Sequence, residues 1–455
     1  MHLRALYSRA AVAEAAAVPA AVVAEVVVPH PAALQAVEHL LHSNNSGSCQ
    51  KGRQIFLLSL FLFNSTHTEE TDMKLGKRLL FAGAGSAVLW IGFLMATPAP
   101  QTQMPTPPQG MKAGQFFKNV TTSTLKDLTV DDFLGTMGVI TGDLGLDCAD
   151  CHPGAGSNKA DFVSDAIKKK VTARKMIEMV AAINKTNFSG VQMVTCYTCH
   201  HGREIPVTSL PLDRLYSYTP MEDEDVVPPA VGGPTADQIL DKYIQAVGGA
   251  QRLSGLTSFI ATGASIGYGG FGGDGEFTIY AKSPNQRTTT ITFKNHPDRG
   301  DSTWTFDGRT GWIKTPRGLF SMYELVGGEL DGARLEAQLA FPGQIKTILR
   351  NWRTGLRRAI DNKDYLIVQG SGTRGLLATF YFDEETGLLR RLVRYTPSPV
   401  GRVPVQVDYL DYRDVGGIKF PFELQFSWMD GRYSAKMKEI RTNVAVDAGV
   451  FGKPK

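Results

Sequence analysis

The sequence lacks an excess of either charge: 48 Lys and Arg against 44 Asp and Glu leave +4 over 455 residues. A nucleic-acid footprint needs a concentrated basic surplus, so nucleic acid is excluded as the partner. Cysteine is scarce, five in all, which rules out a disulfide scaffold. Histidine is scarce too, and between Met111 and Pro234 only His152, His200 and His201 occur. Beyond Pro234 the sole histidine is His296, with no nucleophile or paired carboxylate patterned around it, so no catalytic constellation is assigned and an enzyme is not expected. Apolar residues, by contrast, make up 43% of the chain, with 47 Gly and 24 Pro, enough for two cores joined by turns and linkers.

Composition divides the chain into segments. Met73 begins Met-Lys-Leu-Gly-Lys-Arg, and an 18-residue apolar run follows from Leu79 to Ala96. That basic-then-apolar order is the layout of an export signal, at the length where a signal core meets a short membrane span. Residues 73–99 therefore read as a signal peptide or N-terminal anchor, and residues 1–72, including Cys49, as an over-extended N-terminus. A periplasmic or secreted protein is expected, released or anchored to the inner membrane by residues 79–96. Residues 100–111 are a Pro-rich spacer. Residues 112–215 carry apolar positions at helical spacing, and 216–234 form an acidic Pro/Gly linker. From 235 to 455 a capped helix (Thr235 and Gln238) opens a region of short runs rich in Thr, Ile, Tyr, Phe and Val. These run as Glu276 to Ala281, Arg287 to Phe293, Tyr365 to Gln369 and Ala378 to Phe382, with turns at Asp307-Gly308, Asp383 to Gly387, Gly416-Gly417 and Asp430-Gly431. The fold class is thus multidomain: a small all-α domain, then an antiparallel β-rich domain, a curved sheet or half-barrel plus helices. A further helix is expected between Glu329 and Trp352.

Four of the five cysteines fall in Cys148-Ala-Asp-Cys-His152 and Cys196-Tyr-Thr-Cys-His200. Cys-x-x-Cys-His is the attachment sequence of c-type haem. Thiols three residues apart on a helical turn, Cys148 with Cys151 and Cys196 with Cys199, reach the two vinyl groups on one edge of the macrocycle. The adjacent imidazole, His152 or His200, then meets the iron. A zinc site built from both pairs would not need a His after each, and a thioredoxin-like dithiol would need a βαβ setting that is absent. Two covalently bound haem c groups are the expectation, with electron transport as the activity.

The far side of each iron needs a second ligand, and His201 is too close to His200 along the chain to supply it. Met137 lies on a helix begun by Thr129, on one face with Phe133 and Ile140, and precedes Cys148 by 11 residues, with a turn at Gly142 to Gly145. A second helix, read from Thr172, carries Met176 and Met179 on one stripe, with a turn from Asn187 to Gly190 before Cys196. Met193 is too close to Cys196 to fold back. A Met on an apolar face is ordinarily core filling, but the repetition of helix, turn and motif favours ligation by Met137. For the second iron, Met176 is favoured and Met179 is the alternative. Two axial ligands on each iron suit electron transfer better than substrate activation. The basic residues Lys168, Lys169, Lys170, Arg174 and Lys175 either steer an acidic redox partner or form a solvated helix face.

The stretches Phe117-Lys-Asn-Val120, Phe133-Leu-Gly-Thr-Met-Gly138, Arg174-Lys-Met-Ile-Glu-Met-Val180, Ile183-Asn-Lys-Thr-Asn-Phe188 and Val194-Thr-Cys-Tyr-Thr-Cys-His200 resemble the cytochrome c subunit of the photosynthetic reaction centre. The resemblance covers about 100 residues. It implies Met137 and Met176 as sixth ligands, and donor and acceptor redox proteins as partners, including a membrane electron-transfer complex. That family passes electrons to an oxidised pigment pair through four haems. Here there are two motifs and a further domain, so the expectation is a general dihaem electron carrier. Residues 235–455 resemble, more weakly, the LolA/LolB lipoprotein carriers, through the opening helix, the many strands and the ending Gly416-Gly-Ile-Lys-Phe-Pro-Phe422. That likeness implies a hydrophobic ligand, and with it an alternative function: a ligand carrier or redox-coupled sensor in which the C-terminal domain is primary.

Overall fold

The computed structural model describes residues 104–157, 159–206, 208–209, 225–267, 274–293, 300–315, 319–429 and 431–455. All belong to one unit, Leu94–Lys455. The segments read as an over-extended start and as a signal or anchor, with Cys49, lie outside the described residues, as do His296, Asp430 and most of the acidic linker.

Among the described residues, four α-helices precede the linker: α1 (Ala113–Phe116), α2 (Val130–Leu144), α3 (Lys168–Asn187) and α4 (Cys196–His200). Thr129 caps α2, accepting the Asp132 N–H at 3.2 Å, with Asp131 and Asp132 in the first turn where the helix dipole favours carboxylates. The helix passes through Gly142, expected as a turn, and ends at Gly145, whose φ of 63° is left-handed. α3 starts at Lys168 rather than Thr172 and without a side-chain cap. The extra turn is retained because Lys170 reaches back to the carbonyls of Phe162 and Ser164, both at 2.8 Å.

The C-terminal region opens as expected with α5 (Ala236–Ala246), whose cap pairs Thr235 and Gln238 reciprocally, followed by α6 (Ala250–Ser254). Then come β1 (Ser258–Gly267), β2 (Gly275–Lys282), β3 (Gln286–Thr292), β4 (Ser302–Phe306), β5 (Gly311–Lys314) and β6 (Met322–Glu324). After α7 (Gly327–Leu339) and a 3-10 turn at Pro342–Thr347 the chain returns as β7 (Arg350–Ile360), β8 (Lys363–Ser371), β9 (Leu377–Asp383) and β10 (Leu389–Ser398). It closes with β11 (Gly401–Val415), β12 (Ile418–Trp428) and β13 (Gly431–Thr442). All thirteen join one antiparallel sheet, ordered β6-β5-β4-β3-β2-β1-β13-β12-β11-β10-β9-β8-β7. Two meanders thus meet where β1 pairs β13. Gly416 and Gly417, at φ 65° and 82°, supply the two left-handed positions that a tight β11–β12 hairpin needs.

Alternation along the strands sends one set of side chains to a core shared with the helices. Leu240 and Tyr243 of α5 and Leu335 of α7 are buried there with Phe277, Val368, Phe380 and Phe382. Both sheet edges are covered by chain from outside the sheet. Met104 donates its N–H to Leu319 O at 3.0 Å and bridges Phe320, while Thr106 Oγ1 donates to Met322 O at 2.7 Å beside β6. At the opposite edge Pro229 bridges Gly355 of β7, and Ala230 N–H donates to Thr354 O at 3.0 Å.

Candidate haem site

The second Cys-x-x-Cys-His segment is the single helical turn α4. It is entered through a reciprocal cap in which Thr198 N–H donates to Thr195 Oγ1 (3.3 Å) and Thr195 N–H donates to Thr198 Oγ1 (3.0 Å). His200 Nδ1 lies 2.9 Å from Arg203 O. A carbonyl can only accept, so this contact places the ring proton on Nδ1 and leaves the Nε2 lone pair for a metal. In the first segment, Cys148–Asp150 form a 3-10 turn capped by Asp147, and His152 N–H donates to Cys148 O at 2.9 Å. The His152 ring packs 5.3 Å from Phe162, and its Nδ1 is buried without a partner. Burial, aided by Lys170 and Arg174, holds His152 below the ordinary histidine value, which favours the neutral imidazole that ligates metals.

No disulfide joins the four described cysteines. Cys148 and Cys199 are exposed and Cys151 is half-buried, while Cys196 is buried, which pushes its thiol up to about 11. Burial also raises Cys151.

Asp143 ties the end of α2 to the second segment. Tyr197 N–H donates to Asp143 Oδ2 at 3.1 Å, and Gly202 N–H donates to Asp143 O at 2.9 Å, so the end of α2 is bonded to the start and finish of the second motif. Burial raises Asp143 to about 6, opposed by the Tyr197 N–H and by the charge of His200. Lys169 adds a bridge, 2.9 Å from Glu204 and 3.7 Å from Asp150 of the first motif. With Lys169 paired, Lys170 buried and Arg174 bonded to Asp165 at 2.9 Å, most of the basic run braces the helices rather than facing solvent freely.

Met137 is half-buried on α2, against a cluster of Leu125, Val139, Ile140, Ile177, Cys196 and Val400. Met176 is half-buried on α3, and Met179, on the same helix, is 44% exposed; Met193 is 60% exposed. Three residues escaped the sequence reading. Asn184, buried on α3, accepts Met193 N–H (3.0 Å) and Val194 N–H (2.9 Å) and donates to Val194 O (2.7 Å), fixing the chain before Cys196. A polar residue inside an apolar stripe was the available signal. Asp143 gave none beyond its place before the turn, and Val400 none, being distant in sequence.

The donor set fits haem. Two thiol pairs are each followed by an imidazole, one ring already oriented for ligation and the other with an orphaned nitrogen, and the apolar Phe162, beside the His152 ring, and Tyr197, within the second segment, stand exposed. Among the described residues no three of His, Cys, Asp and Glu gather as a metal group, so the two pairs do not converge on a shared Cys₄ zinc site.

Residues 89–223 match the sequence model of the photosynthetic reaction centre cytochrome C subunit family. Among curated relatives, the reaction center cytochrome c subunit of Thermochromatium tepidum is 39% identical over 102 residues, 21% of this chain and 23% of that protein. Its counterpart from Rubrivivax gelatinosus is 35% identical over 116 residues, 24% of this chain and 30% of that protein. The chain spans less than a third of the length of these relatives. The matched segment is similar to the cytochrome c subunits that its motifs led one to expect, a family whose haem is covalently bound. Solved structures similar to the sheet region include a LolA superfamily protein from Nitrosomonas europaea, at 15% identity and TM-score 0.33, covering 49% of this chain and 99% of that one. A DUF1329 family protein from Desulfovibrio piger has 12% identity and TM-score 0.35, covering 48% and 96%. No helix among the described residues is long and apolar enough to cross a membrane.

Proposed function

We propose that this chain is a dihaem c-type cytochrome that carries electrons in the periplasm. The observation that carries the reading is the bridging of two Cys-x-x-Cys-His segments by Lys169, which pairs with Asp150 of the first and with Glu204 just after the second, with His200 held for ligation by Arg203 O. In this reading Cys148 and Cys151 hold one haem and Cys196 and Cys199 the other, His152 and His200 are the proximal ligands, and Met137 and Met176 the distal ones. The group supplies a reversible one-electron change at iron. The chain's part is to orient: Arg203 O and Asn184 set the second segment, Asp143 ties α2 to it, and Lys169 bridges it to the first. The cytochrome part is the helical domain 112–215, joined through 216–234 to the β-rich domain 235–455, and residues 73–99 export or anchor the chain. Donor and acceptor are redox proteins of the periplasm or a membrane complex.

A pyridine haemochrome assay on protein made with haem-attachment machinery, with the mass of the denatured chain, tests this. Two covalent haems per chain are expected; one or none refutes the reading.

A further inference from the structure

The β10–β11 hairpin of the sheet domain is built into the second motif. Val400, at its turn, is fully buried, and its carbonyl accepts the Cys196 N–H at 3.2 Å. Ser398 O accepts Gln192 Nε2 at 2.8 Å, just before that motif. The fit is close: a Cβ added to Gly401 would lie 3.2 Å from Val139 Cγ1 and 3.7 Å from Thr195 Cβ. α2 rests on the same part of the sheet. A Cβ on Gly135 would meet Val403 at 3.6 Å, one on Gly138 would meet Met429 Cβ at 3.4 Å, and one on Gly142 would overlap Met429 Cε. These glycines follow one face at helical spacing, whereas Phe133, Met137 and Leu144 lie on the other side of the helix. One face of the helix thus receives the sheet domain, and the opposite face presents Met137.

We propose that residues 398–403 of the sheet domain are positioning residues for the second haem, forming the apolar wall behind Cys196 and thereby setting that haem's reduction potential apart from the first. The proposal rests on the dihaem reading. Its physical basis is that the surroundings of a haem, through exclusion of water and hydrogen bonding to its attachment segment, shift its potential without touching the iron. The hairpin contributes Val400, which shares an apolar cluster with Cys196, Val139, Ile140 and Ile177, and it fixes the Cys196 backbone. Cys196 is the only buried one of the four described cysteines, whereas Cys151 is half-buried and Cys148 and Cys199 are exposed. The C-terminal domain is then a working part of the redox centre and not an appended module.

The test uses the full-length, haem-loaded chain with Val400→Thr, which keeps the shape and adds a hydroxyl to the wall, and Gln192→Leu, which removes the Ser398 link from an exposed position and leaves the core intact. Potentiometric titration should show one of the two midpoint potentials lowered in Val400→Thr, because a more polar wall favours the oxidised iron, and the same one moved in Gln192→Leu. The other midpoint should coincide with wild type. In chain prepared without haem, hydrogen exchange of the Cys196 amide should be slow in wild type and faster in Val400→Thr. Two unchanged potentials, equal shifts of both, or unaltered exchange at Cys196 overturn the proposal. Fewer than two haems in wild type overturns the dihaem reading instead.

Discussion

Asp131 of α2 accepts the backbone N–H of Val326 through Oδ2 at 3.1 Å, and its neighbour Asp132 accepts that of Gly328 at 3.1 Å. α7 has no side-chain cap of its own at Val326, so two carboxylates from the cytochrome segment serve the N-terminus of a helix in the sheet domain.

Stability should therefore fall with rising pH in a window set by Asp131. Burial raises it to about 7 from 3.8, opposed by the Val326 N–H and reinforced by Glu329 and Asp132. Below about pH 4 both folded and unfolded chains hold the proton, so the contribution of the protonated group is present in full and does not change with pH. As pH rises toward about 7 only the folded chain keeps it, so stability is progressively lost, and the loss is complete above that value. Denaturant midpoints at about pH 5 and about pH 8 should differ more in wild type than in Asp131→Asn. Equal differences would show that Asp131 is not the group responsible.

Asn184→Ala removes a buried amide that satisfies three backbone groups of residues 193 and 194. Leaving such groups unsatisfied costs about 1–3 kcal/mol, and the cost falls on the segment entering the second motif. Urea unfolding should show a loss of about that size. Hydrogen exchange should quicken at Met193 and Val194 before it does in the sheet, and uniform loss of protection would place the effect elsewhere.

Much of this was legible beforehand. The Thr129 and Thr235 caps and the strand runs are local patterns, set by a few neighbouring residues, and the chain realises them. What escaped depends on tertiary partners. Val400 meets Cys196 across about 200 positions, and the caps of α7 come from a helix nearly as distant in sequence. Lys168 to Lys170 read as charge on a helix, and only the fold shows Lys170 spending its ammonium on Phe162 and Ser164. Helix starts shift for the same reason: Thr172 has the better capping chemistry, but contacts at Lys169 and Lys170 extend α3 past it.

Gly145→Ala should loosen the joint between the end of α2 and the second motif. Gly145 is left-handed, and a Cβ there would lie 2.3 Å from Gly202 O, so the turn must move away from the second motif. Strain at such a position costs about 1–3 kcal/mol. Thermal unfolding should register the loss, while Gly156→Ala, left-handed with open space around it, should cost less. A reversed order would mean that the approach to Gly202 is not what constrains the turn.

Gln369→Leu should release the strap after the linker. Gln369 is buried in β8, accepts from Val227 N–H and from Arg353, and donates to Asp225 O at 2.8 Å and to Thr379 Oγ1 at 2.7 Å. A leucine keeps the volume and loses all of these bonds, so limited proteolysis should cut between residues 225 and 230 faster in the variant. Unchanged cleavage would show that the Pro229 bridge and the Arg402 pair with Asp225 hold the strap unaided.

On the proposed dihaem reading, the ligand to the second iron divides Met176 from Met179, which lie one turn apart on α3, the first half-buried beside Ile177 and the second 44% exposed. Thioether ligation gives a low-spin His/Met iron, and loss of the ligand converts that iron alone. Met176→Ala should therefore abolish one of two low-spin signatures and leave the covalent haem count at two, and Met137→Ala should abolish the other. Met179→Ala should alter neither. If Met176→Ala leaves both signatures intact and Met179→Ala removes one, the exposed methionine is the ligand and Met176 is packing. The haem count in the same samples separates that result from failure of attachment, because thioether bonds to Cys196 and Cys199 do not depend on the distal ligand.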